Sequence, residues 1–435
     1  IRGRGPCGGG LPVRYTDAVQ PAADSTLSPR AELRATLLIY LAGFTYHIGL
    51  GSTLILVPLY ALHLGFDFAE LGIIIASQAV FGLLLRLFAG AISDRFGERW
   101  VLLFSFGTMV AGAAIIGVSD TFWTLILGQT FLGISRATYW TATQSYCSRI
   151  NPARAGALLG RMSSSRTLGD MVGVFSAGII AENMGYGWAW AVIVALGGVG
   201  LAGSLVLPML PRKGALRGFK QALAPIPSMV RSPSMAMAGI TAFVASTAMT
   251  IAVILLVPYL HELGNSEGDV GFVRGAGLVG SVGIGVVFGK IVSRTGQKNL
   301  YTLALSAMGV IMLAVPIMGT DSILGPPGLQ AIFTPMGALM FMYGTFYGLL
   351  GPLYPLTAAT YSSQEQRGVA MAYVGLYWGA AQVVIPASFG VLAASFGLRD
   401  SFWFAGVMFI VFAAAMPILF AYLTKSHGTT QQISR

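Results

Sequence analysis

The chain has 435 residues, of which 55% are hydrophobic and only 10% charged, with a mean hydropathy of +0.73. Soluble domains carry about 25% charged residues, so this composition excludes one and places the chain in a bilayer. The net charge of +10 is scattered singly between apolar runs, which excludes the concentrated basic face of a nucleic-acid binder.

The first 34 residues are rich in Gly, Pro and Arg and hold no apolar segment. They read as a disordered tail rather than a secretory signal. Two cysteines, Cys7 and Cys147, make no disulfide framework and lack the neighbours of a zinc or redox site.

Twelve runs then meet the length of about 20 apolar residues that a span requires. They lie near 35–63, 68–92, 99–118, 122–147, 158–182, 186–210, 235–262, 268–292, 299–319, 328–361, 368–395 and 399–424. The one longer break, 211–234, is a linker between an amino-terminal half, 35–210, and a carboxyl-terminal half, 235–424, with a short tail at 425–435. The fold class predicted is an all-α membrane protein of twelve transmembrane helices in two pseudo-symmetric halves.

Basic residues mark the cytoplasmic side of a multi-pass chain. With the amino terminus inside, 21 of 26 basic residues fall on the inner side, and only Arg274 and Arg399 are assigned to the outer side. Both termini are expected in the cytoplasm, in a plasma or bacterial inner membrane.

Between the second and third spans lies Gly90-Ala91-Ile92-Ser93-Asp94-Arg95-Phe96-Gly97-Glu98-Arg99. Its Gly90, Asp94, Arg95, Gly97 and Arg99 resemble the signature loop of the major facilitator superfamily. The resemblance implies a gating loop that latches the two halves of a transporter together, with the Asp turned toward the partner half.

Internal repeats agree with a two-half plan. Leu56-Val57-Pro58 with Leu64-Gly65 recurs as Leu256-Val257-Pro258 with Leu263-Gly264, a shift of 200 and then 199. At the shift of 199, Gly90, Arg95, Gly97 and Arg99 fall on Gly289, Arg294, Gly296 and Lys298, a second copy of the loop in which Ser293 replaces Asp94. A shift of 215 carries Thr130, Phe131, Gly133, Tyr139 and Tyr146 onto Thr345, Phe346, Gly348, Tyr354 and Tyr361. Repeats in the same direction are the parallel arrangement of this superfamily. The eighth span carries a row of glycines, Gly271 to Gly289, at spacings that allow close helix contact.

No nucleophile elbow, zinc-protease motif or phosphate-binding Gly loop occurs. No enzyme, metal or cofactor is expected, and an ATP-driven pump is disfavoured. Ionisable groups inside spans are expensive and therefore functional candidates. Arg86 and Arg166 sit two turns from span ends, within snorkelling reach. Arg136 and Asp170 each lie about 18 Å from a cytoplasmic end at 1.5 Å per residue, near mid-bilayer and on adjacent spans. They form one candidate pair, and a competing pair is Arg166 with Asp170, four residues apart on one helix. His47, in the first span, is able to take up a proton near neutral pH. Gln78, Gln129, Gln144, Tyr343, Tyr347, Tyr354, Tyr377, Trp378 and Gln382 are polar and aromatic candidates to line a path. The resemblance implies that spans one, four, seven and ten line the central cavity, which selects His47, Arg136, Thr247 and Tyr347.

Two patterns frequent in drug and proton antiporters, Arg-x-x-Gln-Gly and Gly-Pro-x-x-Gly-Gly, are replaced by Gln129-Thr130-Phe131-Leu132-Gly133 and Gly169-Asp170-Met171-Val172-Gly173. The resemblance thus covers the fold and stops short of a substrate. The expectation is a monomeric secondary transporter that moves a small-molecule solute across the lipid bilayer by alternating access. Protons are the expected coupling ion, and Arg136 suggests an anionic solute. Multidrug efflux, and a transport-inactive receptor on the same fold, are the alternatives.

Overall fold

The structure, a computed structural model, describes residues 28–151, 154–210, 226–318, 328–360 and 367–433. Twelve long helices stand where the twelve spans are predicted. The first half is α1 (Pro29–His63), α2 (Phe68–Phe96), α3 (Glu98–Gly117), α4 (Phe122–Ile150), α5 (Ala155–Met184) and α6 (Tyr186–Leu205). The second is α7 (Pro233–Glu262), α8 (Glu267–Thr295), α9 (Gln297–Ala314), α10 (Pro335–Thr360), α11 (Arg367–Phe396) and α12 (Leu398–Ile433). No strand occurs among the described residues.

Among the described residues, nine helices are long and apolar enough to cross a membrane, or ten when the bent α8 counts as one span. The two that fall short are α4 and α5, the helices that carry Arg136, Arg166 and Asp170. Their polarity is the cost of the groups they hold in the interior. In α7 a π-helical turn, Ala252–Leu256, runs up to Pro258. Proline has no N–H to donate and crowds the carbonyl four residues back, which accounts for the wider turn there.

The repeat seen in the sequence is realised in the turns. Six glycines with positive φ close them, Gly65, Gly97 and Gly185 in the first half and Gly264, Gly296 and Gly397 in the second. Each joins the same pair of helices within its half, because a left-handed residue without a Cβ lets one span reverse directly into the next. Packing follows the same symmetry. In the first half α1 packs on α5, α2 on α4 and α3 on α6; in the second α7 packs on α11, α8 on α10 and α9 on α12.

The halves meet through α2 against α11 and through α5 against α8. These contacts are backbone-close. A Cβ on Gly72 of α2 would stand 2.3 Å from the Pro386 carbonyl of α11, and one on Gly178 of α5 would stand 2.1 Å from the Glu267 carbonyl of α8. Both approaches lie at the end of the bundle that carries the α1–α2 and α7–α8 turns. Nearer the opposite end, Gly160 of α5 and Gly283, Gly285 and Gly289 of α8 face open space. One end of the bundle is sealed, and α5 and α8 come apart toward the other.

Candidate transport site

The centre of the first half is built by helix contact between small residues. Gly169 and Gly173 sit four apart on α5, and a Cβ on Gly173 would meet the Ile48 carbonyl of α1 at 2.1 Å. A Cβ on Gly51 of α1 would in turn meet the Asp170 carbonyl at 2.5 Å. The two backbones therefore touch, as small residues at four-residue spacing allow. Ser52 Oγ donates to the Gly173 carbonyl at 3.2 Å across the same contact.

That contact sets His47 of α1 against Asp170 of α5, with Nδ1 and Oδ1 2.9 Å apart. The imidazole is 3% exposed, whereas the carboxylate keeps 25% of its side chain exposed. His47 is also enclosed by the rings of Tyr46, Tyr139 and Trp140, and its Nε2 is buried with no hydrogen-bond partner. Tyr46 stacks on Tyr139 with centroids 3.6 Å apart and donates to or accepts from Ser135 Oγ at 3.1 Å. The histidine is held rigidly, and its carboxylate partner is left open on one side.

Asp170 is thus paired with His47 and with neither arginine of the two pairings expected from sequence. Arg166 lies over the ring of Trp140, its guanidinium carbon 4.5 Å from the centroid. Arg136 lines a narrow cleft with Gln78 and Leu83 of α2, Gly133 of α4, and Gly379 and Gln382 of α11. The cleft spans the boundary between the halves. Arg274 needs a correction: it does not belong to an outer loop. It sits two turns inside α8 and is 7% exposed, because the start of α8 is packed between α5 and α10.

Of the remaining candidates, Tyr347 lies within electrostatic range of Arg136, Arg166 and Arg274. Tyr354 packs against Trp378 at 4.9 Å between centroids. Gln129 is buried, with its Oε1 unpartnered. Thr247 is fully buried and bonds back to the Phe243 carbonyl. Among the described residues, no group of three or more His, Cys, Asp or Glu side chains stands together as a metal site.

At the open end, Gly97 makes the tight turn of the signature loop, with φ +86°. Arg95 is exposed over the Phe96 ring, and Arg99 donates to the Leu205 carbonyl at the end of α6. The side chains of residues 86–94, Asp94 among them, lie outside the described residues, as does the setting of Gly90. In the second copy Gly296 makes the same turn, while Gly289, Arg294 and Lys298 are exposed. The anchor of each loop is a residue the motif does not feature. Glu98 is 3% exposed, accepts from Ser145 Oγ at 2.7 Å and forms an ion pair with Arg149 of α4. Gln297, the matching residue, donates to Thr360 Oγ1 at 3.2 Å and accepts from Thr357 Oγ1 at 3.0 Å on α10. Ser145 and Thr360 are related by the 215-residue repeat, so both halves fasten the loop at one equivalent point.

Two like halves sealed at one end around a polar interior make this a helical, multi-pass membrane transporter. Residues 39–362, and again 240–434, match the Major Facilitator Superfamily, and the chain belongs to that family. It is 24% identical over 386 residues to the multidrug resistance protein MdtG of Proteus mirabilis, covering 83% of this chain and 90% of that protein. Among solved structures it is similar to the nucleoside transporter NupG, with a TM-score of 0.73 and 14% identity, covering 89% of this chain and 99% of the other. It is also similar to a bacterial homologue of the human lysosomal transporter Spinster in an inward-facing, unoccupied conformation, with a TM-score of 0.72 and 14% identity over 90% and 97% of the two chains.

Proposed function

We propose that the chain is a secondary active transporter that moves a small organic solute by alternating access and uses protons as its coupling ion. The observation that carries this reading is the placement of Asp170. Its carboxylate is partly open and accepts from or ion-pairs with a buried histidine. It also stands one turn of α5 before Val174, whose carbonyl faces Gly271 of α8 in the seam between the halves. A charge-assisted hydrogen bond is stronger than a neutral one, so protonating Asp170 loosens α5 from α1 close to the point where α5 meets the other half. That links proton occupancy to the rocking of the halves.

With both termini in the cytoplasm of a plasma or inner membrane, the open end faces inward and the sealed end faces outward. The distribution of basic residues supports that sidedness. A second reading, multidrug efflux by proton antiport, draws support from the likeness to MdtG. Reconstituted vesicles given a panel of metabolites and drugs, with and without a pH gradient, test both. One solute class moved in response to the gradient supports the first reading, several unrelated hydrophobic compounds support the second, and no movement of any compound contradicts both.

A further inference from the structure

Among the described residues, three guanidinium groups lie within the helical bundle without a hydrogen-bonded counter-charge. Arg136 of α4, Arg166 of α5 and Arg274 of α8 make no hydrogen bond or ion pair to another described residue. Asp170, the carboxylate within electrostatic range of Arg136, is held by His47. Arg274 is the most confined: it is 7% exposed, and its Nε is sealed without a partner. Charged groups in a membrane interior are retained where they pair with something, and arginine in particular matches the two oxygens of a carboxylate or phosphate.

Tyr347 of α10 lies within electrostatic range of all three arginines, and Tyr343 is in range of Arg274. Arg136 opens on a cleft lined with Gln78 and Gln382, side chains that donate hydrogen bonds without adding charge. Arg136 and Arg166 belong to one half and Arg274 to the other, so a ligand that engages both sets bridges the halves.

Building on the transporter reading, we propose that the arginines around Tyr347 bind the anionic group of the solute, a carboxylate, sulfonate or phosphate on a small organic body. Arg274 of the second half and Arg136 of the first are the principal contacts, and the ligand supplies the counter-charge that the protein withholds. Arg166, stacked on Trp140, adds to the field.

The test is binding, which needs no transport. The full chain is placed in phosphatidylcholine nanodiscs, so that no anionic lipid headgroup competes. Its melting temperature is then followed with millimolar matched pairs: benzoate and benzamide, benzenesulfonate and benzenesulfonamide, phenyl phosphate and phenol. The expected result is that at least one anion raises the melting temperature while its neutral counterpart does not. R274Q and R136Q should each weaken the apparent affinity at least tenfold, and R274K should recover part of the loss at Arg274. No shift with any of the anions, an equal shift with the neutral partner, or unchanged affinity in both glutamine variants overturns the assignment. The wild-type panel decides even where a variant fails to fold. Anion binding that depends on the arginines, together with vesicles that move nothing, would sink the transport reading and leave this site standing; vesicles that move only neutral solutes would do the reverse.

Discussion

His47 and Asp170, 123 positions apart in sequence, meet at 2.9 Å where α1 and α5 touch through glycine. The pair belongs to one half, yet α5 continues from it directly into the seam with the other half. Asp170 therefore lies one to two turns from Val174 and Gly178, which pack on Gly271 and Glu267 of α8. Position along one helix sets the carboxylate close to the seam between the halves.

The close contact between α1 and α5 has little tolerance for added volume. Gly173→Leu should destabilise the protein by about 1–3 kcal/mol or more, the usual cost of overpacking, because its first carbon already collides with the Ile48 carbonyl. Gly160→Ala, on the same helix but facing open space, should be neutral or slightly stabilising, since alanine is the better helix former. Thermal unfolding in detergent compares the two, and equal losses would contradict the packing account.

Removing the carboxylate at Glu98 leaves Arg149 beside a buried, empty position. Glu98→Ala should cost about 1.5–3 kcal/mol, the range for hydrogen bonds to a charged group, because Arg149 is only partly buried. Gln297→Ala in the second half breaks only neutral hydrogen bonds, worth about 1 kcal/mol. Chemical or thermal unfolding of the two variants checks the order, and a larger effect at Gln297 would show that Glu98 is not the stronger anchor.

The sealed end is held by polar contacts as well as by glycine. Glu182 Oε2 of α5 accepts from the Gly268 N–H at the start of α8, 3.0 Å away, and Glu267 Oε1 accepts from the Tyr186 hydroxyl at 3.1 Å. A carboxylate at a helix amino terminus contributes about 0.3–1 kcal/mol at a surface. Glu182→Ala should therefore raise the opening of this end about 2- to 5-fold. The readout is the labelling rate of V174C by an impermeant maleimide, and an unchanged rate would remove Glu182 from the gate.

The sidedness has its own test. Impermeant reagents applied from outside should label the loop near Asp321 and leave Lys213 to Lys220 untouched. The opposite pattern would invert the assignment of inner and outer ends.

Much of the fold was legible in the sequence because it is written in local signals. Apolar length marked most of the twelve helices, with α4 and α5 the more polar exceptions, and the paired turns at Gly65 with Gly264 and Gly97 with Gly296 stood out through their repeated neighbours. Gly185 and Gly397 make an equivalent pair, but Tyr186-Gly187-Trp188 and Leu398-Arg399-Asp400 share nothing that would align them. The site was less legible. Depth along the spans put Arg136 beside Asp170, yet depth says nothing about which face a side chain occupies. The signal that could have found His47 was Gly169-x-x-x-Gly173, since a residue next to such a contact faces another helix. Arg274 was assigned to the outer side by counting charges near a span end, whereas the packing of α8 against α5 and α10 draws it into the interior. The Glu98–Arg149 pair joins the starts and ends of helices that only the tertiary fold brings together.

Proton coupling through Asp170 is tested most directly in vesicles holding a pH-sensitive dye, with substrate added outside under an imposed gradient. The wild type should move protons together with solute. Asp170→Asn should lose the substrate-linked proton movement while still exchanging labelled for unlabelled solute at equilibrium. Proton movement that survives in Asp170→Asn, or a wild type whose solute flux ignores the gradient, would contradict the account.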